Sequence, residues 1–311
     1  MPTELEIKEA QTEMTTIRDI IRWAVTQFNK ADLFYGHGTD NAWDEAVNLT
    51  LSALHLSPDI DVNVLDAKLS NAEKHQILKY IQKRVVDRIP AAYLVKEAWF
   101  SGLNFYVDER VLIPRSPIAE LIEDEFSPWV EEENVEHILD LGTGSGCIAI
   151  AAAVTFPNAE VDAVDVSKDA LEVAKMNVDR YGLEESVKLI QSDLFAALKG
   201  KLYDIIISNP PYVGLTEYNS LPKEYQFEPK SALITQEEGL SIVRQILSQA
   251  EDYLAPQGIL VVEVGYNQEA VEQHFPEIPF TWLQFENGGE GVFLLTKDEL
   301  KEYKQHIARS A

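Results

Sequence analysis

The run Asn209-Pro210-Pro211-Tyr212 puts an amide oxygen, two prolines and an aromatic ring within four residues, one serine after the apolar run Ile205-Ile206-Ile207. Consecutive prolines cannot continue a sheet ladder, so the backbone turns away and the Pro210 carbonyl is left free to accept. An amide oxygen, a bare carbonyl and a ring face together fit a planar NH2 group: both hydrogens are accepted and the flat group is stacked. A second run, Asp140-Leu141-Gly142-Thr143-Gly144-Ser145-Gly146, follows an apolar stretch and precedes a helical one. Glycines there permit a tight turn and close approach of a ligand to the backbone. The dinucleotide pattern G-x-G-x-x-G would need glycine at 147, where Cys147 stands. The acid two residues ahead of Gly142 disfavours a pyrophosphate and suits a ligand with a positive centre, such as an ammonium or a sulfonium.

Two more acids follow in order. Asp165 ends the next strand candidate, placed to accept from both ribose hydroxyls, and Asp193 ends the one after it. Leu194 and Phe195 beside Asp193 offer a face for an adenine ring. Any one of the three acids could simply cap a helix, but three ending successive strands point to a nucleoside site. Cys147 has no base nearby and reads as a small packing residue. His37, between Gly36 and Gly38, reads as a turn histidine because no second metal ligand accompanies it.

These motifs need elements to hold them. From residue 137, strand and helix patterns alternate: HILDLG, a helix after Gly146, VDAVDV, a helix through Ala170, Val173, Ala174 and Val178, VKLIQSD and YDIIISNPP. A helix through Leu240, Val243, Ile246 and Leu247, then GILVVEVG, TWLQFEN and GVFLLT, complete the pattern. Alternation of this kind means a parallel sheet covered by helices on both faces. The last two candidates, joined by a short Gly-rich turn, require a late antiparallel strand. Ligands in such sheets bind beyond the carboxyl ends of the strands, where every motif above falls.

Upstream, Ile17, Ile20, Ile21, Ala24, Val25 and Phe28 mark one helical face, and Trp43, Ala46, Val47, Leu51 and Leu54 a second, with a cap expected at Thr39 or Asp40. Ser70 and Glu73 form a capping box for a third helix, with Pro90 as its stop. The expected division is a helical unit over 1–96, a hairpin linker over 97–113 and an α/β domain over 114–311.

The 311 residues carry 26 Lys and Arg against 52 Asp and Glu, a net charge of −26. Such a surface repels phosphate backbones and anionic lipid and attracts basic proteins, so neither direct nucleic-acid binding nor a membrane role is expected. A single cysteine excludes an intramolecular disulfide. The polar start MPTELEIKEA and the lack of a long apolar run give the expectation of a cytoplasmic protein, read as a monomer.

With DLGTGSG and NPPY in this order, the sequence resembles the S-adenosylmethionine-dependent amino-methyltransferases. VLIPRSP (111–117), NPPYV and FEPKSAL (227–233) make it similar to the N(5)-glutamine methyltransferases, over about residues 15–297. That family modifies a glutamine in peptide release factors or in large-subunit ribosomal protein L-three. The release-factor enzymes tend to read I-P-R-P-[DE]-T-E, whereas this chain reads Ile113-Pro114-Arg115-Ser116-Pro117-Ile118-Ala119-Glu120. FYGHGTDNAWDEA (34–46) and VLIPRSPIAELI are similar to the ribosomal-protein branch.

The resemblance implies a Rossmann-like methyltransferase fold, mostly parallel with an antiparallel final strand, beside a small helical bundle. It also implies S-adenosylmethionine as methyl donor, S-adenosylhomocysteine as coproduct, no metal, and a basic ribosomal protein as partner. By motif, Asp140, Gly142, Thr143, Gly144, Ser145, Gly146, Asp165, Asp193, Leu194 and Asn209 correspond to the donor site. Asn209, Pro210, Pro211 and Tyr212 correspond to the glutamine site, with Asn209, Pro210 and Tyr212 in catalysis. The competing readings are a release-factor enzyme, a DNA amino-methyltransferase, which would need a basic face and base flipping, and a non-catalytic assembly factor.

Overall fold

The computed structural model describes residues 2–236 and 239–310. The chain forms two compact units: one comprises 1–98, 107–109 and 222–227, the other 99–106, 110–221 and 228–311.

The first unit is helical, with α1 (Glu4–Glu13), α2 (Ile17–Ala31), α3 (Ala42–Ala53), α4 (Asn71–Val86) and α5 (Ala91–Val95). Its core joins Ile20, Ile21, Ala24 and Phe28 of α2 to Ala46, Leu49 and Leu51 of α3 and to Ile77, Leu78, Ile81 and Val85 of α4. The Ser70–Glu73 capping box is present. Three expectations change. The cap of α3 is Asn41, whose Oδ1 accepts from the Trp43 and Asp44 amides, rather than Thr39 or Asp40. Trp43 lies in the first turn, 49% exposed, instead of in the core. α4 ends at Val86, before Arg88 takes a left-handed φ of 65°, and Pro90 starts α5 instead of stopping α4. Its fixed φ suits a helix start.

A buried ionic knot ties this unit together. Arg84, fully buried, donates from Nε to Glu45 (2.6 Å), from Nη1 to Glu224 (3.2 Å) and from Nη2 to the Phe34 carbonyl (2.7 Å). Removing the arginine would leave the buried Glu45 carboxylate without its cation, which is costly, whereas Glu224 keeps Arg88 at 3.3 Å.

The hairpin expected at 97–113 is β1 (Glu97–Phe100) and β2 (Leu103–Tyr106), turning through Gly102 at φ +69°. After the hairpin the second unit continues through α6 (Ile118–Glu123), β3 (His137–Leu141), α7 (Cys147–Thr155), β4 (Glu160–Asp165), α8 (Lys168–Tyr181), β5 (Val187–Gln191) and β6 (Tyr203–Ser208). The short helices α9 (Leu215–Tyr218) and α10 (Lys230–Leu233) precede α11 (Ser241–Ala250), β7 (Leu254–Glu263), α12 (Gln268–His274), β8 (Thr281–Trp282), β9 (Val292–Thr296), α13 (Lys297–Glu302) and α14 (Lys304–Ser310).

The sheet order is β5-β4-β3-β6-β7-β9-β8, with β9 antiparallel to both neighbours and the other pairs parallel. Side chains alternate across it, as the pleat requires. Ile138, Val161, Ile205, Ile207, Val261 and Leu294 pack with α6, α7 and α8. Leu139, Val164, Ile206, Leu260, Val262 and Phe293 pack on the other face with α11. Of the stretch TWLQFEN, Thr281 and Trp282 pair with β9 and the Leu283 amide makes one more bond, to the Val292 carbonyl at 2.9 Å, before the chain turns away. Among the described residues no helix is long and apolar enough to cross a membrane.

Candidate functional site

A cavity of about 210 Å³ opens at the carboxyl ends of β3, β4, β5 and β6. It lies beside the reversal in strand order where β3 is flanked by β4 and β6, the place such sheets reserve for ligands. Gly142, Gly144, Asp165, Asp193, Leu194, Asn209, Pro210 and Pro211 line it, so two motifs more than sixty residues apart meet in one space. The turn after β3 is pinned by the Gly142 and Thr143 amides, both donating to the Val164 carbonyl at 2.8 Å. Gly142 and Gly144 have φ of +78° and +55°, and an added Cβ on either would meet nothing within 4 Å. The loop therefore presents bare backbone to open space.

Asp165 completes that wall. Its Oδ2 accepts from the Gly144 amide (2.9 Å) and its Oδ1 from the Ser167 amide (2.8 Å), which fixes the carboxylate while leaving further lone pairs unused. Burial pushes its carboxyl up, opposed by those backbone donors. Asp193 and Leu194 follow β5, with Leu194 at φ +45° and its carbonyl held by the Ser192 hydroxyl at 2.9 Å.

Four residues of the donor motif sit outside the cavity lining: Asp140, Thr143, Ser145 and Gly146. Asp140 is 1% exposed, and its Oδ2 accepts from the Thr143 hydroxyl at 2.6 Å. Burial pushes its carboxyl up to about 7. Ser145 is buried, its carbonyl accepting from Asn177 Nδ2 at 2.8 Å. Gly146 (φ +81°) lies against Ala174 of α8, close enough that a Cβ would sit 3.3 Å from the alanine methyl. These four shape the turn from behind. Cys147, buried beside them, has its thiol pushed up to about 12 by burial, the state of an inert packing residue.

At the opposite wall, Asn209 and Pro210 face the cavity, whereas Tyr212 does not line it. The tyrosine ring packs on Gly265, where a Cβ would come within 2.7 Å of it, and its hydroxyl donates to Glu263 Oε1 at 3.0 Å. The Tyr212 carbonyl accepts from Asn267 Nδ2 at 2.5 Å. Glu263, at the end of β7 and 5% exposed, also accepts from Ser116 Oγ at 2.5 Å. Burial pushes the Glu263 carboxyl up, while Ser116, Tyr212, Arg115 and Asn209 pull it back.

Sequence reasoning left out Glu263 and the linker residues Arg110, Val111 and Leu112, which line the cavity. A lone glutamate at a strand end carries no spacing signal. VLIPRSP and FEPKSAL were visible as segments, and the structure joins them. Arg115 grips Glu228 with two bonds (Nη1 to Oε1, 2.6 Å; Nη2 to Oε2, 2.8 Å), and the Ile113 amide adds a third at 3.0 Å. Pro229, Ser231 and Ala232 just beyond complete the cavity wall. His37 is buried with its ring 4.6 Å from that of Tyr225, and no metal-holding group of His, Cys, Asp or Glu occurs among the described residues.

The methyltransferase small domain family matches residues 126–221. A ribosomal protein uL3 glutamine methyltransferase of Neisseria gonorrhoeae is 53% identical over 293 residues, 94% of this chain and 98% of that protein. A protein of the same name from Francisella tularensis is 48% identical over 290 residues, 93% of this chain and 92% of that one. The solved catalytic domain of hMettl16, bound to the MAT2A 3'UTR hairpin 6, is 19% identical, with 76% of this chain and 86% of that chain covered and a TM-score of 0.48. The fold, the meeting of the two motifs in one cavity and this extent of identity place the chain in a single family: it belongs to the ribosomal protein uL3 glutamine methyltransferases.

Proposed function

We infer that the chain methylates the side-chain amide nitrogen of a glutamine in ribosomal protein uL3, with S-adenosylmethionine as donor. The observation that carries this reading is the shared cavity: Asn209 and Pro210 line the same space as Gly142, Gly144 and Asp165. The donor fits these residues, because the two bare glycines leave room that any side chain would fill and the fixed Asp165 carboxylate can accept from ribose hydroxyls. Asp193 and Leu194 would hold the adenine, and Asp140 would act on the positive end from beneath the loop. When bound, the donor supplies an electrophilic methyl on a sulfonium and departs as S-adenosylhomocysteine.

The chain's own contribution is orientation. An amide nitrogen is a poor nucleophile, since its lone pair is delocalised into the carbonyl. Asn209 Oδ1 and the Pro210 carbonyl would each accept one N–H of the glutamine, which turns the nitrogen toward the donor and supports pyramidalisation as the lone pair is drawn out; as the N–C bond forms and the S–C bond breaks, one of these N–H protons is released to solvent. Positioning of this kind can lower a barrier by about 7–11 kcal/mol. Tyr212, with its hydroxyl on Glu263 and its ring on Gly265, serves this role from behind the loop rather than as a stacking plate in the cavity. The −26 charge suits a basic ribosomal partner, and the helical unit, which shows no catalytic constellation, is assigned to receiving it.

The test supplies the purified chain with labelled donor and, separately, uL3, a release factor or duplex DNA. Label is expected on uL3, at a glutamine one methylene heavier by mass spectrometry. Label on the release factor or the DNA alone would overturn the reading.

A further inference from the structure

We propose that Asn267 and Glu263 are positioning residues for methyl transfer: through Tyr212 they set the direction in which the Pro210 carbonyl faces the cavity. This rests on the reading of Pro210 as one of the two acceptors of the glutamine NH2. Neither Asn267 nor Glu263 lines the cavity, and neither does Tyr212, so their effect reaches the substrate through the loop.

The loop is a stiff arm. Pro210 and Pro211 have fixed φ and no N–H, and Asn209 and Pro210, each ahead of a proline, are confined to extended backbone. Such an arm keeps its own shape, but no ladder runs along it to hold its direction, which is set where the arm is attached. At the near end, Ser208 pairs with Leu141 of β3 and Val262 of β7, and its hydroxyl donates to the Leu141 carbonyl at 2.8 Å. At the far end the attachment is Tyr212. Asn267 Nδ2 donates to the Tyr212 carbonyl at 2.5 Å, and the Tyr212 hydroxyl donates to Glu263 Oε1 at 3.0 Å. Two glycines make room for these bonds. A Cβ at Gly239 would strike the Tyr212 carbonyl and Asn267 Nδ2 together, and one at Gly265 would meet the ring at 2.7 Å. Both partners are themselves braced: the Asn267 amide donates to the Val264 carbonyl at 3.1 Å, and Glu263 accepts from Ser116 Oγ at 2.5 Å. β7 thus holds the arm twice, by Val262 at its root and by Glu263 at its tip.

Asn267 gives two variants whose order packing alone does not produce. Asn267→Ala removes the donor, and kcat on uL3 should fall about tenfold, the scale of one hydrogen bond. Asn267→Asp keeps the shape but, at about pH 8, sets a carboxylate against the Tyr212 carbonyl, and kcat should fall about 10²-fold. A residue that only fills space predicts the reverse order, because aspartate matches asparagine more closely than alanine does. Tyr212→Phe leaves the ring on Gly265 and loses the bond to Glu263; kcat should fall about five- to tenfold.

The experiment measures kcat on uL3 at saturating donor, with donor affinity by calorimetry expected to stay within about twofold in all three folded variants. Asn267→Asp milder than Asn267→Ala, or a loss of donor affinity as large as the loss of turnover, overturns the proposal. Wild-type turnover in Tyr212→Phe overturns the part given to Glu263. A second readout needs no activity. Pro210 and Pro211 are the only adjacent prolines among the 14 of the chain, so proline isotopically labelled at its carbonyl carbon and its nitrogen gives one directly bonded labelled pair, at the Pro210 carbonyl. A single sharp resonance there in the wild type that moves or splits in Asn267→Asp and in Tyr212→Phe upholds the proposal, and a resonance unmoved in both overturns it. Should wild-type protein fail to label uL3, the acceptor reading falls, and the resonance still decides what Asn267 and Glu263 hold in place.

Discussion

On the donor wall, each polar group is fixed by a neighbour close in the chain or on the adjoining strand. Asp165 takes the Gly144 amide from 21 residues away and the Ser167 amide from two, and Asp140 takes the Thr143 hydroxyl from three. On the acceptor wall the supports come from much farther. Tyr212 is held by Glu263 and Asn267, 51 and 55 residues on, and Glu263 by Ser116, 147 residues back. The donor wall is thus a local turn that folds with its own βαβ unit, whereas the acceptor wall exists only once β7 and the linker segment are in place. Changes on the first should register as donor affinity, and changes on the second as turnover.

The sharpest test on the donor side is Asp165→Ala. If Asp165 takes both ribose hydroxyls, two charge-assisted hydrogen bonds of about 1.5–3 kcal/mol each are lost. The donor dissociation constant should then rise by about 10²–10⁴, while KM for uL3 moves little. Because the carboxylate also holds the Gly144 and Ser167 amides, folding is checked by circular dichroism. Calorimetry showing unchanged donor affinity in a folded variant would take Asp165 out of the site.

Asn209→Ala probes the other wall. Loss of one oriented acceptor should lower kcat by about 10²–10³, with donor affinity nearly unchanged. A variant that weakens the donor and spares turnover would erase the distinction between the walls. Near-normal turnover would reduce Asn209-Pro210-Pro211-Tyr212 to a bend in the chain.

The same contrast explains what the sequence disclosed. The seven-stranded sheet, its antiparallel member and α7, α8 and α11 follow from apolar periodicity. The glycine turn and Asn209-Pro210 are contiguous signatures, and Gly142, Gly144, Asn209 and Pro210 line one cavity. Glu263 is invisible because its role depends on meeting Ser116 and Tyr212, a tertiary event that no local pattern records. The sequence reads Tyr212 as a ring face stacked on the NH2 group, whereas the ring packs on Gly265 and does not line the cavity. The first strand of the closing pair is shorter than its composition suggests: TWLQFEN has strand composition throughout, yet its bonds to β9 end at Leu283.

Asp140 should have the smallest effect on turnover, and its test is a pH dependence. In the folded protein its carboxyl is raised from 3.8 to about 7, chiefly by burial. Below pH ~4 folded and unfolded chains both hold the proton, so the group has no effect on stability there. Between ~4 and ~7 the folded chain keeps a proton that the unfolded chain has released, so stability declines as pH rises across that window and levels off above it. Asp140→Asn, which retains an acceptor for Thr143, should flatten that decline in urea titrations between pH 4 and 8. Donor binding carries the opposite sign. A cationic ligand favours ionised Asp140, so affinity should climb toward pH 7; if binding lowers the carboxyl's pKa by about one unit, the gain is about tenfold. Asp165, also raised by burial and facing the same cavity, acts in the same direction as Asp140. Identical affinity profiles and identical stability slopes in wild type and Asp140→Asn would leave Asp140 no electrostatic part in the donor wall, only the Thr143 contact that shapes the turn.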